Sequence, residues 1–261
     1  MKIMMLATFA GLLSTMAYSQ SEKPSSGLRL YDNFHQTFID PSKWSAPSQC
    51  GSPAMECVRE IENGKLRLRT RAYGATNSDT GTQFGSSGVN LTASSVTDIS
   101  VQVTVRNSSP QDCATNPGAT HAQVLVFGAF FNGGGGTAAD DVQAYLQLDH
   151  YPTQAPQTVE VGGFLYYQGQ FFDNVDLGAV DVGEHVTVEL QWDHPNHQFI
   201  VYLVRPAYHT KVEQFMPYTI SDNTAAVSPF KTLSANVYPA NCRTATTSAD
   251  LDVFFNNVMT N

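Results

Sequence analysis

Apolar and polar positions along this chain alternate in short runs, and turn-forming residues end each run before a helical period is established. The clearest case is a pair of runs, Val58 to Glu62 and Lys65 to Arg71, joined by Asn63-Gly64. Asn-Gly is the strongest two-residue hairpin signal because both positions need positive φ. Such a turn sets the register: Glu62 faces Lys65, Glu60 faces Arg67 and Val58 faces Arg69, which leaves Ile61, Leu66 and Leu68 for the core. Arg59 falls on that apolar side, where the sheet margin suits it better than burial against a carboxylate. Further strands are predicted at Ile99 to Val105, Gln123 to Phe131, Val142 to His150, Val159 to Tyr167, His185 to Asp193, Gln198 to Val204 and Leu251 to Val258. Ten or so strands without a helix predict an all-β sandwich or barrel. The tetraglycine Gly133 to Gly136 reads as a flexible link rather than a phosphate cradle, since no helix follows it.

The N-terminus departs from this pattern. Met1 and Lys2 precede an apolar stretch, Ile3 to Leu13, and Ala17-Tyr18-Ser19 puts small residues where a signal peptidase needs them. Residues 1–19 read as a secretory signal, too short to span a membrane, with a single domain over 20–261. Four cysteines, Cys50, Cys57, Cys113 and Cys242, are an even set for an exported chain, and disulfides are the expectation. Three connectivities are open. Cys50–Cys57 would close a small loop, and Cys113 with Cys242 would tie the middle of the chain to its end. A zinc site competes, but there is neither a C-x-x-C pair nor an H-x-x-x-H. The formal charge is −9, and no basic cluster offsets it, so nucleic acid is excluded as an expected partner.

Three segments together resemble the concanavalin A-like lectin/glucanase superfamily. They are Leu30-Tyr31-Asp32-Asn33-Phe34 with Ile39-Asp40-Pro41-Ser42-Lys43-Trp44; Val182-Gly183-Glu184-His185 through Gln191-Trp192-Asp193; and Leu251 to Val258. The resemblance implies a two-sheet antiparallel jelly-roll sandwich whose last strand pairs near its first. It leaves function open, because such folds serve lectins, glycoside hydrolases, polysaccharide lyases and non-catalytic modules. The Glu-x-Asp-x-x-Glu signature of its laminarinase-like members is missing here. Glu184 and Glu189 are five apart, so alternation sends them to opposite faces. Glu60 and Glu62 face Arg67 and Lys65, which would keep both ionised. A lyase would need a His or Tyr base with cations for a uronate; His150, Tyr151 and Arg59 could serve, though nothing in their spacing requires it.

Two rows of polar side chains remain. Gln143, Tyr145, Gln147 and Asp149 alternate with Val142, Ala144, Leu146 and Leu148; His185, Thr187, Glu189 and Gln191 alternate with Val186, Val188, Leu190 and Trp192. Amides, carboxylates and flat rings are the groups that hold sugars, by hydrogen bonds to hydroxyls and stacking on C–H faces. If both strands share a concave sheet, the rows line one groove. A merely solvated sheet face shows the same alternation and binds nothing. Trp192 and Trp44 read as core. Tyr166-Tyr167 and Phe171-Phe172 read as an exposed aromatic rim or as a strand end. Asp140-Asp141 and Asp173-Asn174 with Asp176 offer loop oxygens for calcium, or are simply solvated. The expected function is a secreted, non-catalytic, lectin-like protein that binds a polysaccharide or glycan. The alternatives are an enzyme on polysaccharide using Glu189 or Asp149, and a structural or adhesive extracellular protein.

Overall fold

A computed structural model describes residues 27–47, 49–50 and 54–261, so the expected signal segment lies outside the described residues. The chain folds as two antiparallel sheets of eight strands each. The strands are β1 (Arg29–Asp32), β2 (Trp44–Ser45), β3 (Met55–Glu62), β4 (Lys65–Tyr73), β5 (Gly85–Leu91), β6 (Asp98–Pro110), β7 (His121–Asn132) and β8 (Asp141–His150). They continue as β9 (Thr158–Tyr167), β10 (Gln170–Asp181), β11 (His185–Asp193), β12 (Gln198–Arg205), β13 (Thr210–Pro217), β14 (Thr224–Ala225), β15 (Lys231–Tyr238) and β16 (Ser248–Thr260). One sheet runs β13-β12-β11-β6-β16-β4-β3, with β1 on β16; the other runs β10-β9-β8-β7-β15-β5-β2, with β14 on β7. We call them the arginine sheet and the amide sheet after their outward side chains.

The expected jelly-roll sandwich follows from how the strands are shared out. The hairpin β3–β4 belongs to the arginine sheet, β5 to the amide sheet and β6 to the arginine sheet again. The meander β7 to β10 then builds half of the amide sheet, and β11 to β13 half of the arginine sheet. The late strands close both sheets from within: β15 inserts between β5 and β7, and β16 between β4 and β6. Strand β16 also pairs with β1, as the resemblance implied. In the hairpin, Asn63 and Gly64 hold φ of 52° and 71°, and the expected pairs Glu62–Lys65, Glu60–Arg67 and Val58–Arg69 are in register.

The inward faces form one core. Leu66, Leu68, Val101, Val126, Leu146, Val188, Val201 and Phe255 are sealed from solvent. Trp44 lies in this core, and its indole N–H donates to Asp32 Oδ2 at 2.7 Å. Trp192 packs against the core and stacks on Phe131 with ring centroids 5.2 Å apart. Arg59 sits at the margin, as expected, where Nη1 donates to the carbonyls of Pro47 and Gly88. Both disulfides form, Cys50–Cys57 and Cys113–Cys242. The tetraglycine is better ordered than a flexible link. Asn132 Oδ1 accepts the N–H groups of Gly134 and Gly136, and a Cβ on Gly133 would stand 2.6 Å from the Tyr167 ring.

Candidate glycan groove

The two polar rows do not share a sheet. Gln143, Tyr145, Gln147 and Asp149 lie on β8 of the amide sheet, whereas His185, Glu189 and Gln191 lie on β11 of the arginine sheet. Both rows face outward, so they point to opposite sides of the sandwich and cannot line one groove. Alternation assigns a side chain to a face of its strand but says nothing about which sheet the strand joins.

On the amide sheet, register stacks the outward side chains into rows that run across the strands. One row is Asn90, Thr232, Phe127, Tyr145, Phe164 and Asn174, from β5 to β10. The next is Gly88, Ser234, Leu125, Gln147, Gly162 and Asp176. The third is Ser86, Asn236, Gln123, Asp149, Glu160 and Ala179. Beyond it, Tyr238 pairs with His121. With about 4.8 Å between strands, six strands give rows on the order of 24 Å long.

Relief across these rows comes from side-chain size. The middle row has glycine at two of its six positions and so forms a trough. On one side stand stacked rings: Phe127 on Tyr145 at 4.9 Å, with Phe230, Phe164, Tyr166 and the largely exposed Phe171 grouped around them. On the other, His121 stacks between Tyr238 at 4.3 Å and Tyr151 at 5.1 Å, and Phe84 lies against Tyr238. Between these walls the polar floor is recessed. Ser234, Asn236, Gln147 and Asp149 are each less than a tenth exposed although they point away from the core.

The floor is incompletely bonded. Ser86 donates to Asn236 Oδ1, Thr232 to Asn90 Oδ1, Tyr145 to Gln143 Oε1 and Gln147 to Asp149 Oδ2. Ser234 Oγ and Asp149 Oδ1 are buried without a partner. Buried polar atoms in native proteins are paired in the great majority of cases, so two orphans on one floor are informative. Burial pushes the Asp149 carboxyl up to about 7, against the pull of the Gln123 and Gln147 amides, and the nearby Glu160 carboxylate pushes the same way. Burial also raises the Tyr145 hydroxyl to about 12, so it stays a neutral donor. The three rows contain carboxylates only toward β10 and no lysine or arginine at all.

The arginine sheet presents a different surface around the second predicted row. His185 Nδ1 meets Thr104 Oγ1 at 3.0 Å, Glu189 stands between Ser100 and Tyr202, and the Tyr202 hydroxyl donates to Gln191 Oε1. Farther along, Arg67 forks onto Asp252 at 3.1 and 2.9 Å and also reaches Glu62, and Arg69 forks onto Asp250 at 3.1 and 2.7 Å. Glu184 is held by both arms of Arg205. The residues imagined for a lyase are dispersed: Arg59 bonds at the β5 edge, whereas His150 and Tyr151 lie at the end of β8.

Of the carboxylates considered for calcium, Asp173 and Asp176 lie on strand β10 rather than in a loop, each accepting one nearby backbone N–H, and Asp140 and Asp141 are engaged by several donors. Asp141 is buried and accepts from Asn132 and from the N–H groups of Val227 and Ser228; Asp140 accepts from Thr137 and Gln168. Among the described residues, the one group of three potential ligands within 4.8 Å is Asp79, Cys113 and Cys242, whose sulfurs are bonded to each other. Sequence reading missed β5, β10, β13 and β15, and with them Gly88, Ser234 and Asn236 of the floor.

No family model matches the chain, and no curated protein matches it. Solved structures do match. A glycoside hydrolase family protein from Mycobacterium thermorestibile is 13% identical, with a TM-score of 0.49 over 89% of this chain and 98% of that one. A GlcNAcα1-4Gal-releasing endo-β-galactosidase from Clostridium perfringens is 12% identical, with a TM-score of 0.46 over 88% of this chain; the match spans only 63% of that enzyme's length. Lectin II from Ulex europaeus is 12% identical, with a TM-score of 0.37 over 88% of this chain and 97% of that one. Lectins and glycoside hydrolases are thus what the sandwich is similar to, and at such identities the likeness concerns architecture alone.

Proposed function

We propose that this is an extracellular carbohydrate-binding protein, and that an extended glycan lies across the amide sheet in the trough of Gly88, Ser234, Leu125, Gln147 and Gly162. The observation that carries this reading is the recessed floor, where Ser234 Oγ and Asp149 Oδ1 are buried without partners between two aromatic walls. Sugar hydroxyls would complete those bonds, and ring faces would stack on the walls. The two disulfides support an oxidising compartment. The absence of lysine and arginine from the three rows argues against uronate or sulfate chains as ligands.

A second reading is favoured by one feature. Asp149, protonated near neutral pH, stands opposite Glu160 on the neighbouring strand. A carboxyl group held protonated beside a second carboxyl group is what glycoside hydrolysis uses. One experiment tests both readings. Protein lacking residues 1–19 is passed over a polysaccharide panel with and without calcium, while reducing ends and unsaturated uronate products are assayed. Binding without product, weakened by Phe171→Ala and unchanged by Glu189→Gln, is the expected result. Product release that Asp149→Asn abolishes would establish the enzyme. Binding lost in Glu189→Gln but kept in Phe171→Ala would place the ligand on the arginine sheet and overturn the proposal.

A further inference from the structure

The trough is not electrically uniform along its length. Its β5 end offers Ser86, Asn90, Thr232 and Asn236, all neutral. At the β10 end it opens into a hollow of about 180 Å³ over Gly162, bounded by Asp149, Glu160, Phe164, Asn174 and Asp176. The hollow exists because Gly162 has no side chain: a Cβ there would stand 3.0 Å from the Phe164 ring and 3.1 Å from the Val175 carbonyl. Asp149 is 93% buried at its inner end, with Oδ1 unpartnered, while Glu160 and Asp176 are exposed at its open side. Among the described residues, none of the three carboxylates forms a salt bridge. The salt bridges of the described residues lie elsewhere, on the arginine sheet and in loops.

A hollow with three carboxylates, an aromatic ring and no resident cation is built for a positive guest. An aromatic face attracts a cation within about 6 Å of its centroid, whereas its edge does not, and Phe164 lines the hollow. A buried carboxylate gains most from a partner that neutralises it, because leaving it alone in a low-dielectric place is costly. The rest of the trough is suited to hydroxyls, so the charge should arrive as part of a sugar chain. We propose that the hollow over Gly162 is a cation subsite of the groove and takes the ammonium group of an amino sugar within the bound glycan. This rests on the reading of the trough as a glycan site and adds the chemical class of the ligand. Ammonium binding favours the ionised form of Asp149, so it is accompanied by proton release near neutral pH.

The test compares the glucosamine hexamer with the N-acetylglucosamine hexamer by calorimetric titration at about pH 6, alongside a neutral glucan hexamer. The two amino-sugar probes differ in replacing an ammonium by an acetamide. A charge-assisted hydrogen bond is worth enough for a roughly tenfold preference for the ammonium form. The expected result is that preference, largely lost in the double variant Glu160→Gln/Asp176→Asn, which removes the two exposed carboxylates of the hollow and leaves the floor intact, while binding of the acetylated hexamer persists. Glu160→Gln alone, at an exposed position, should reduce the preference without any risk to folding. Equal affinity for the two hexamers overturns the cation subsite and leaves the groove standing if either hexamer binds. A preference that survives in the double variant also overturns it, because an acidic protein then attracts a polycation without a defined site. Binding of the neutral glucan alone does the same. Silence toward every oligosaccharide removes both the subsite and the groove.

Discussion

The two outer faces of the sandwich are made by the same alternation and end in opposite states. On the arginine sheet, charge is abundant and consumed internally: Arg67 is shared by Asp252 and Glu62, Arg69 by Asp250, and Arg106 lies over the Phe254 ring at 4.8 Å. On the amide sheet, charge is scarce, rings are grouped into walls, and Ser234 Oγ and Asp149 Oδ1 are left without partners. Pairing is incomplete on the arginine sheet too, since Asp98 Oδ1 on β6 is also buried without a hydrogen bond, so the two faces differ in charge and in relief rather than in full satisfaction. A face that leaves bonding capacity unspent in a recess is held at some expense in stability, and that is the usual signature of a binding site. Polarity alone therefore does not mark a site; the balance of donors, acceptors and neighbours does.

The contrast can be broken from either side. The largest expected effect is on Asp149. Its folded value of about 7 lies above the ordinary carboxylate value, so folding takes up a proton between about pH 4 and pH 7, and stability contributed by the protonated form is lost as pH rises through that window. Groups around it are Glu160 on β9, Asp176 on β10, Tyr151 after β8 and Tyr238 on β15, none of them cationic. Asp149→Asn should stabilise the protein by about 4 kcal/mol above pH 7, with no difference below about pH 4. Thermal melts across pH check this; a destabilised variant at pH 8 would show that the carboxylate is a structural asset.

The opposite change belongs to the arginine sheet. Arg67→Met takes the forked partner from the Asp252 carboxylate, whose side chain is only 10% exposed, leaving Arg106 at 3.8 Å as its nearest cation, and should cost about 2 kcal/mol in urea unfolding. Glycan affinity should not move, and a large fall in it would erase the distinction between the faces. Smaller still are the effects on binding. Phe171→Ala should weaken glycan binding by roughly tenfold with little change in melting temperature, since that ring is 63% exposed. Tyr145→Ala should do the same and also lose about 1 kcal/mol of stability, because its ring is stacked on Phe127. Smallest of all, His185→Ala should leave both quantities within error.

How far these differences could be read in advance varied by element. The β3–β4 hairpin was legible down to its register, because Asn63-Gly64 dictates a two-residue turn and the turn dictates the pairs. The rows on β8 and β11 were legible as rows. Strand β10 was not, because shifts between Phe171 and Asp173 and between Asp176 and Gly178 break its alternation. Strand β5 reads as loop from Gly85-Ser86-Ser87-Gly88, and β15 is obscured by Lys231, which points inward and donates to the carbonyls of Ser94 and Ala129. Beyond Lys231, β15 does alternate, with Leu233, Ala235 and Val237 inward against Thr232, Ser234 and Asn236, so its part of the floor was legible in the pattern, whereas the glycines and serines of β5 hide theirs.

The sequence by itself determined the period-2 strands, the disulfide-capable cysteines, the hairpin and the side of each strand that meets the core. These are local properties, settled by neighbouring residues and by turn chemistry. Only the tertiary structure decided which sheet each strand joins. That choice is made by pairings such as β15 with β7 and β16 with β6, between segments remote in sequence. It placed Glu189 and Asp149 on opposite sides of the molecule and set Asp149 beside the hollow that glycine opens.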